Sequence, residues 1–137
     1  MPSAGYSGTP LAQKLGIKPG QRVSLFAVPK DYKSLLQPLP EKVSFSNRIE
    51  KGATFVHAFF SERKTLEKTL KRLRTAIADN GIVWVSWPKK SSGVPTDVTE
   101  DVIRAEALPI GLVDIKVCAV NEIWSGLKLV IRRENRH

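Results

Sequence analysis

The sequence has few of the features that mark a secreted or membrane protein. It contains one cysteine, Cys118, which cannot form a disulfide within the chain. No apolar run approaches the ~20 residues that a bilayer span requires. The N-terminus MPSAGYSGTP lacks the basic and apolar regions of a signal peptide. These features predict a cytoplasmic protein in a reducing environment, with no membrane partner.

Several common catalytic and binding motifs are also missing. Neither G-x-G-x-x-G nor G-x-x-x-x-G-K-[ST] occurs, which excludes the two standard phosphate-binding loops. Neither G-x-S-x-G nor the spacing of a Ser–His–Asp triad is present. His57, His137 and Cys118 do not form a metal-binding set, and the apolar neighbours of His57 are typical of a core position. We expect neither a resident metal nor a bound cofactor.

The composition is that of a soluble globular domain with a strong positive charge. A chain of 137 residues, 42% apolar and 26% charged, is long and apolar enough to build one core. Its 22 Lys and Arg outnumber 13 Asp and Glu, which gives a net charge of +9. This excess favours an acidic partner, such as nucleic acid or an anionic small molecule, although it would also serve solubility alone.

The chain divides into an N-terminal arm, residues 1–20, and one α/β domain, residues 21–137. The arm holds four of the nine glycines and three of the nine prolines, with one short helical turn predicted at Leu11–Leu15. The apolar side chains of this arm, Leu11, Leu15 and Ile17, are expected to pack onto the domain.

In the domain, the pattern of apolar residues predicts six strands and three helices. The predicted strands are Arg22–Val28, Lys42–Ile49, Lys51–Phe60, Ile82–Trp87, Leu112–Val120 and Gly126–Glu134. The predicted helices are Asp31–Leu39, Glu62–Asp79 and Val98–Leu108. Their order, with near-continuous apolar strands, predicts a mostly parallel sheet covered by helices on both faces, ending in an antiparallel hairpin.

Helix ends are predicted from capping residues. Ser61 is a candidate N-cap for the long helix that follows it, and Gly81 stands where a C′ glycine would end that helix. Asp97 and Glu100 have the spacing of a capping box for the helix predicted at Val98–Leu108.

The segment PKKSSG, Pro88 to Gly93, is the first candidate site. It leaves a central strand at the edge of the sheet where open α/β folds bind ligands, and a helix N-terminus follows. Its lysines could bind an anion, and two indoles could line the cleft, one of them in a predicted loop. The candidate ligand-binding residues are Trp87, Lys89, Lys90, Ser91, Ser92 and Trp124. The alternative is a mobile basic loop, since nearby carboxylates would repel an anion.

The outer face of the helix predicted at Glu62–Asp79 is the second candidate site. It is strongly basic, and a nucleic acid could bind it through phosphate contacts. The candidate nucleic-acid-binding residues are Lys64, Lys68, Lys71 and Arg72. A solvated helix face explains the same residues, and the sequence has no known nucleic-acid-binding motif.

Nearly the whole chain resembles a bacterial family catalogued as domain of unknown function 3052. The resemblance is carried by GYSGTPLAQKLGIKPG, WVSWPKK, TDVTEDVIR and GLVDIKVCAVNEIWSGLKLVIRRENR. The order of elements also resembles the second half of a class I methyltransferase, in which the last strand inserts antiparallel to its neighbours. This resemblance implies a three-layer, Rossmann-like α/β fold with Arg22–Val28 as the first strand.

The methyltransferase pattern breaks where its cofactor would bind. The turn after the first strand, AVPKDYK, has no glycine, and Asn47 and Arg48 stand where an acidic residue usually holds the ribose, with Glu50 further on. We therefore expect a non-catalytic binding or regulatory domain without S-adenosylmethionine. A nucleic-acid-associated basic protein is one alternative. A small enzyme is another, with the lysine loop and a base chosen from Asp97, Glu100, Asp101 and Glu122.

Overall fold

A computed structural model describes residues 9–136. Residues 1–8 of the predicted arm, and His137, lie outside the described residues. The strands are β1 (Arg22–Phe26), β2 (Ser44–Ser46), β3 (Phe55–Phe59), β4 (Ile82–Pro88), β5 (Leu112–Ala119) and β6 (Trp124–Ile131). The helices are α1 (Leu11–Leu15), α2 (Tyr32–Leu35), α3 (Arg63–Ala76) and α4 (Glu100–Ala107). In the part of the chain that is described, no helix has the length and apolarity required to cross a membrane.

The six strands form one sheet in the order β2–β1–β3–β4–β6–β5. The pairs β1–β2, β1–β3 and β3–β4 are parallel. β6 lies between β4 and β5 and is antiparallel to both. The short connection between β5 and β6 accounts for the antiparallel pairing of these last two strands. The expected mostly parallel sheet, with an antiparallel last strand, is confirmed.

The sheet is covered on both faces, which gives the three expected layers. Val56 and Ala58 of β3 face α3 and α4, whereas Phe55 and Phe59 face α1 and α2, because successive side chains of a strand alternate between faces. The α3–α4 side of the core includes the helix residues Leu66, Leu70, Leu73, Ile103 and Ala107. The α1–α2 side includes Leu11, Leu15, Tyr32 and Leu36.

The helix α1 is joined to β4 and β5 by side chains that bond to backbone carbonyls. Trp84 Nε1 donates to the Leu15 carbonyl at 2.8 Å, which satisfies a fully buried indole. Lys14 Nζ donates to the Ala119 carbonyl of β5 at 3.0 Å, and Lys116 Nζ donates back to the Lys14 carbonyl at 3.2 Å. This segment of the arm is therefore built into the core, as the burial expected for Leu11, Leu15 and Ile17 implied.

All six strands differ from the sequence prediction at one or both ends, and two of these differences bear on the candidate site. β1 ends at Phe26 rather than Val28, because Ala27 adopts a φ of 56°, which is incompatible with extended backbone. Trp124 was expected in a loop but is the first residue of β6, where it pairs with Pro88.

The predicted N-cap of α3 is wrong. Glu62, not Ser61, occupies the N-cap position, and its side chain makes no capping hydrogen bond. Asp97 Oδ1 instead accepts a hydrogen bond from the Arg63 backbone N–H at 2.6 Å. The Ser61 carbonyl accepts a hydrogen bond from Thr96 Oγ1 at 2.7 Å, which brings this loop to the start of α3.

The predicted capping box of α4 is also wrong. Thr99 is the N-cap, and its hydroxyl accepts a hydrogen bond from the Val102 backbone N–H at 3.2 Å. Asp97 is occupied at α3, and Glu100 lies inside the helix, where it pairs with Arg104. Thr99 supplies one of the two bonds of a capping box, because its hydroxyl satisfies a free N–H but Val102 has no side-chain acceptor to return the second.

Gly81 does not cap α3 either. The helix ends at Ala76, after which Ile77 is extended with a φ of −71° and a ψ of 152°. A Cβ at Gly81 would lie 2.9 Å from each of two carbonyl oxygens, those of Ala53 and Ala78. Glycine is required there by close approach of the backbone rather than by a left-handed turn.

Candidate functional site

Parallel strands place their carboxyl ends at one edge of the sheet, which is where open α/β folds bind ligands. In this protein the segments that leave β1, β3 and β4 there are residues 27–31, 60–61 and 89–93, and β6 begins beside them. We call these three segments the carboxyl edge.

The segment that leaves β1 has no glycine and leads directly to a buried aromatic side chain. After the non-glycine residue Ala27, the chain turns through Pro29 and enters α2 at Tyr32. Tyr32 is only 1% exposed, and its ring contacts Phe59 edge to face at 5.7 Å. The phenol thus packs against β3 on the α1–α2 side of the sheet, directly after the turn that leaves β1.

Tyr32 belongs to a buried hydrogen-bond chain that sequence reasoning missed. Tyr32 Oη lies 2.7 Å from His57 Nδ1, and His57 Nε2 lies 2.7 Å from Ser86 Oγ. All three side chains are at most 1% exposed. A neutral imidazole has one donor and one acceptor nitrogen, so either hydroxyl can donate while the other accepts, and the chain is fully satisfied.

Burial controls the protonation of this chain. It lowers the pKa of His57 to about 3 and raises the pKa of Tyr32 above its usual value of 10.0. Both groups are therefore neutral near pH 7. A charged imidazolium would also have to donate from both nitrogens within an apolar core.

The order Ser86–His57–Tyr32 is that of a nucleophile, a base and an orienting group. Two features prevent such chemistry here. A neutral phenol takes the place of the carboxylate that stabilises an imidazolium, and Ser86 Oγ is fully buried. The arrangement therefore acts as a polar link between α2, β3 and β4. The sequence placed His57 in the core but offered no signal for its partners, which lie 25 and 29 residues away.

The two indoles of the lysine-loop site do not face one open cleft. Trp87 is 8% exposed and packs in the α3–α4 side of the core. Trp124 is half-buried on the opposite side, with its ring edge to face with Phe59 at 5.0 Å. Neither indole presents the broad open face expected of a ligand-binding wall.

The lysine loop itself is held in a defined turn. The Lys89 backbone N–H donates to the Ile123 carbonyl at 2.7 Å, which ties the loop to the β5–β6 turn. Ser92 Oγ donates to the Lys89 carbonyl at 2.6 Å and accepts from the Val94 N–H at 3.2 Å, so this hydroxyl is already engaged. Lys89, Lys90 and Ser91 keep solvent access and remain the available polar groups of this site.

The carboxylates considered as a catalytic base mostly have structural partners. Asp97 caps α3, while Glu100 and Asp101 both pair with Arg104. Glu122 is exposed in the β5–β6 turn. These bonds leave little support for a base beside the lysine loop.

The acidic residue that follows β2 points away from the carboxyl edge. Glu50 accepts hydrogen bonds from Arg22 Nε at 2.8 Å and from Arg22 Nη2 at 3.2 Å. Because Arg22 is the first residue of β1, this ion pair lies where the parallel strands begin, at the other end of the strands from the carboxyl edge. The Arg22 guanidinium lowers the pKa of Glu50. Glu50 therefore cannot serve a ribose at the end of β1.

The second candidate site, on α3, is an exposed cationic face. Its four candidate residues, at spacings of four, three and one, lie on the solvent side of the helix: Lys64, Lys68, Lys71 and Arg72. Within residues 9–136 none of the four forms an ion pair, whereas Arg63 pairs with Glu106 and Arg74 donates to the Ile110 carbonyl. The three lysines border an open depression of about 770 Å³, together with Glu62 and Glu67.

Neither metal nor thiol chemistry is supported by these side chains. Among residues 9–136 no three His, Cys, Asp or Glu residues form a group that could hold a metal ion. Burial raises the pKa of the Cys118 thiol, which disfavours the nucleophilic thiolate at neutral pH.

One protein family matches most of the sequence. The family described as protein of unknown function (DUF3052) matches residues 12–133. The chain belongs to this family. Curated proteins provide no significant match to the sequence.

Several solved structures with a similar fold are described as methyltransferases. An S-adenosylmethionine-dependent methyltransferase from Aquifex aeolicus has a TM-score of 0.60 at 13% identity, covering 88% of this chain and 87% of its own. Fibrillarin from Aeropyrum pernix has a TM-score of 0.59 at 12% identity, covering 92% of this chain and 70% of its own. A ribosomal protein L11 methylase from Lactobacillus delbrueckii subsp. bulgaricus has a TM-score of 0.56 at 9% identity, covering 90% of this chain and 76% of its own. These likenesses confirm the Rossmann-like, methyltransferase-like fold.

The residues present do not fit the cofactor of that fold. The Ala27–Asp31 turn lacks the glycine that allows close approach, Tyr32 packs behind it, and Glu50 is held at the other edge by Arg22. The mismatch expected from the sequence thus has a structural counterpart in the position of Tyr32.

Proposed function

We propose that this chain is a non-catalytic binding domain built on a methyltransferase-like fold whose cofactor site has been replaced by core packing. The observation that carries the proposal is Tyr32, which is buried against Phe59 and His57 where the turn after β1 would need room for a ligand. A lone, part-buried Cys118 suits the reducing cytoplasm that we propose as its location.

Calorimetry with S-adenosylmethionine tests this proposal directly. We expect no saturable heat at micromolar protein concentrations, because the cofactor would have to displace a hydrogen-bonded, fully buried phenol. Stoichiometric binding that is weakened by lengthening the side chain of Ala27 would show that the cofactor site is intact.

A second candidate function, nucleic-acid association, is favoured by the cationic face of α3. Lys64 and Arg72 are separated by eight helical steps, or about 12 Å, over which one strand of B-DNA carries about three to four phosphates. Because lysines offer charge without base-specific geometry, the binding should be unselective and strongly salt-dependent.

A matched pair of charge-reversal variants tests this second function. Lys64, Lys68 and Lys71 are changed to glutamate in one variant, and Lys18, Lys42 and Lys51, which are also exposed but lie in loops away from α3, in the other. Both variants have the same net charge. Loss of oligonucleotide binding in the first alone would support a site on α3, whereas equal loss in both would show that only total charge matters.

A further inference from the structure

The two outermost strands of the sheet, β2 and β5, are not equivalent. β2 is three residues long, whereas β5 is eight residues long and pairs with β6 alone within the described residues. A long edge strand exposes backbone N–H and C=O groups along its free side, where another extended chain can pair with it.

The middle of β5 exposes apolar side chains as well. Ile115 is 56% exposed and Val117 is 53% exposed, more than the other exposed large apolar residues of the described chain. Ile115 is the extra residue of a bulge, and Val117 pairs with the buried Leu127. The exposed apolar surface therefore continues directly from the core.

The other face of the same edge is positively charged. Lys116 of β5 lies directly opposite Lys128 of β6, a like-charge pairing that weakens a sheet. The Lys116 ammonium group donates one hydrogen bond to the Lys14 carbonyl at 3.2 Å, and the two further N–H groups of an ammonium can bond to a carboxylate. Burial, together with the charges of Lys116 and Lys18, lowers the pKa of Lys128. The one carboxylate of the strand, Asp114, is already paired with Arg104.

A bulge and a lysine on an edge strand also guard against self-association. That role explains Lys116 but not the two exposed apolar side chains on either side of it. A second copy of the chain is disfavoured as the occupant, because it would bring another Lys116 and another net charge of +9 to the same edge. Acidic side chains would instead relieve the repulsion between Lys116 and Lys128.

We propose that the free edge of β5 binds an extended segment of a partner protein by strand addition, with acidic residues facing Lys116 and apolar residues facing Val117. Backbone hydrogen bonds would supply much of the affinity, and the alternation of acidic and apolar residues would supply the specificity. This surface is separate from the face of α3 and does not depend on the function proposed for it.

Short labelled peptides of equal length test the proposal with the full chain. One alternates glutamate and valine, a second alternates lysine and valine, and a third contains glutamate alone. We expect the glutamate–valine peptide to bind with the highest affinity by fluorescence anisotropy, and to protect backbone amides of residues 113–119 from hydrogen exchange.

Two variants with the same change of charge provide the control. Lys116→Glu should weaken the glutamate–valine peptide about ten-fold or more and should favour the lysine–valine peptide, whereas Lys51→Glu, at an exposed distant site, should change neither. Melting temperatures would confirm that both variants are folded.

Three results would overturn the proposal. The first is failure of the glutamate–valine peptide to bind. The second is equal binding of the all-glutamate peptide, which would indicate charge alone. The third is protection of β5 amides that rises with protein concentration in the absence of peptide, which would identify a second copy as the occupant.

Discussion

Asp97 Oδ1 accepts a hydrogen bond from the Arg63 backbone N–H at 2.6 Å, so a residue that precedes α4 in the chain caps α3. The bond links the β4–α4 loop to the end of β3, and Thr96 reinforces it through the Ser61 carbonyl. The β3–α3 and β4–α4 connections are thereby held together, in part by Asp97, which the sequence analysis assigned to α4.

Changing Asp97 to alanine should destabilise the protein by about 1 kcal/mol, the usual cost of losing an N-cap. Urea denaturation measures this loss. Asp31→Ala is the matched control, because Asp31 occupies the N-cap position of α2 without a capping bond. An equal loss in both variants would contradict the role of Asp97 at α3.

The buried His57 should make folding stability depend on pH. Its pKa is lowered in the native state to about 3 from 6.5, so the unfolded chain binds the proton more tightly. Stability is then fully present above about pH 6.5 and falls as the pH decreases, by about 2 kcal/mol at about pH 5. Unfolding free energies in urea at several pH values measure the slope.

His57→Gln is the control for this pH dependence, because glutamine can still hydrogen-bond but does not titrate. The variant should be less stable at neutral pH and should lose the slope between about pH 6.5 and about pH 5. If the slope persists in His57→Gln, other groups are responsible for it.

Tyr32→Phe removes one hydroxyl from the buried chain and leaves His57 Nδ1 without its partner. We expect a loss of about 1–3 kcal/mol, the cost of an unsatisfied buried polar group. Adding Ser86→Ala should give a non-additive change, since both hydroxyls bond to one imidazole. Additive losses in a double-mutant cycle would show that the three groups do not act as a unit.

Lys89 and Lys90 should contribute to anion binding and little to stability. The double variant Lys89→Ala and Lys90→Ala should keep the melting temperature of the parent, because Lys89 holds the loop through its backbone N–H, which donates to the Ile123 carbonyl, rather than through its ammonium group. Any stabilisation by pyrophosphate should be lost in the variant. A melting temperature several degrees lower without pyrophosphate would show that the lysines are structural.

Much of the fold follows from local patterns in the sequence. The alternation of apolar strands with helices determined a mostly parallel sheet, and the spacing of Leu66, Leu70 and Leu73 determined the buried side of α3. These features could be predicted because each depends on neighbouring residues and on the period of a strand or a helix. The basic surface of α3 could be predicted for the same reason.

Only the tertiary structure decided how distant polar groups pair. Tyr32, His57 and Ser86 come from three separate elements, and Asp97 serves a helix that begins 34 residues before it. Trp87 and Trp124 lie on opposite sides of the sheet, and Lys116 lies opposite Lys128 on the neighbouring strand. Such pairings depend on strand order and register, which are set by packing of the whole sheet, whereas the sequence by itself determines which residues can form a strand or a helix.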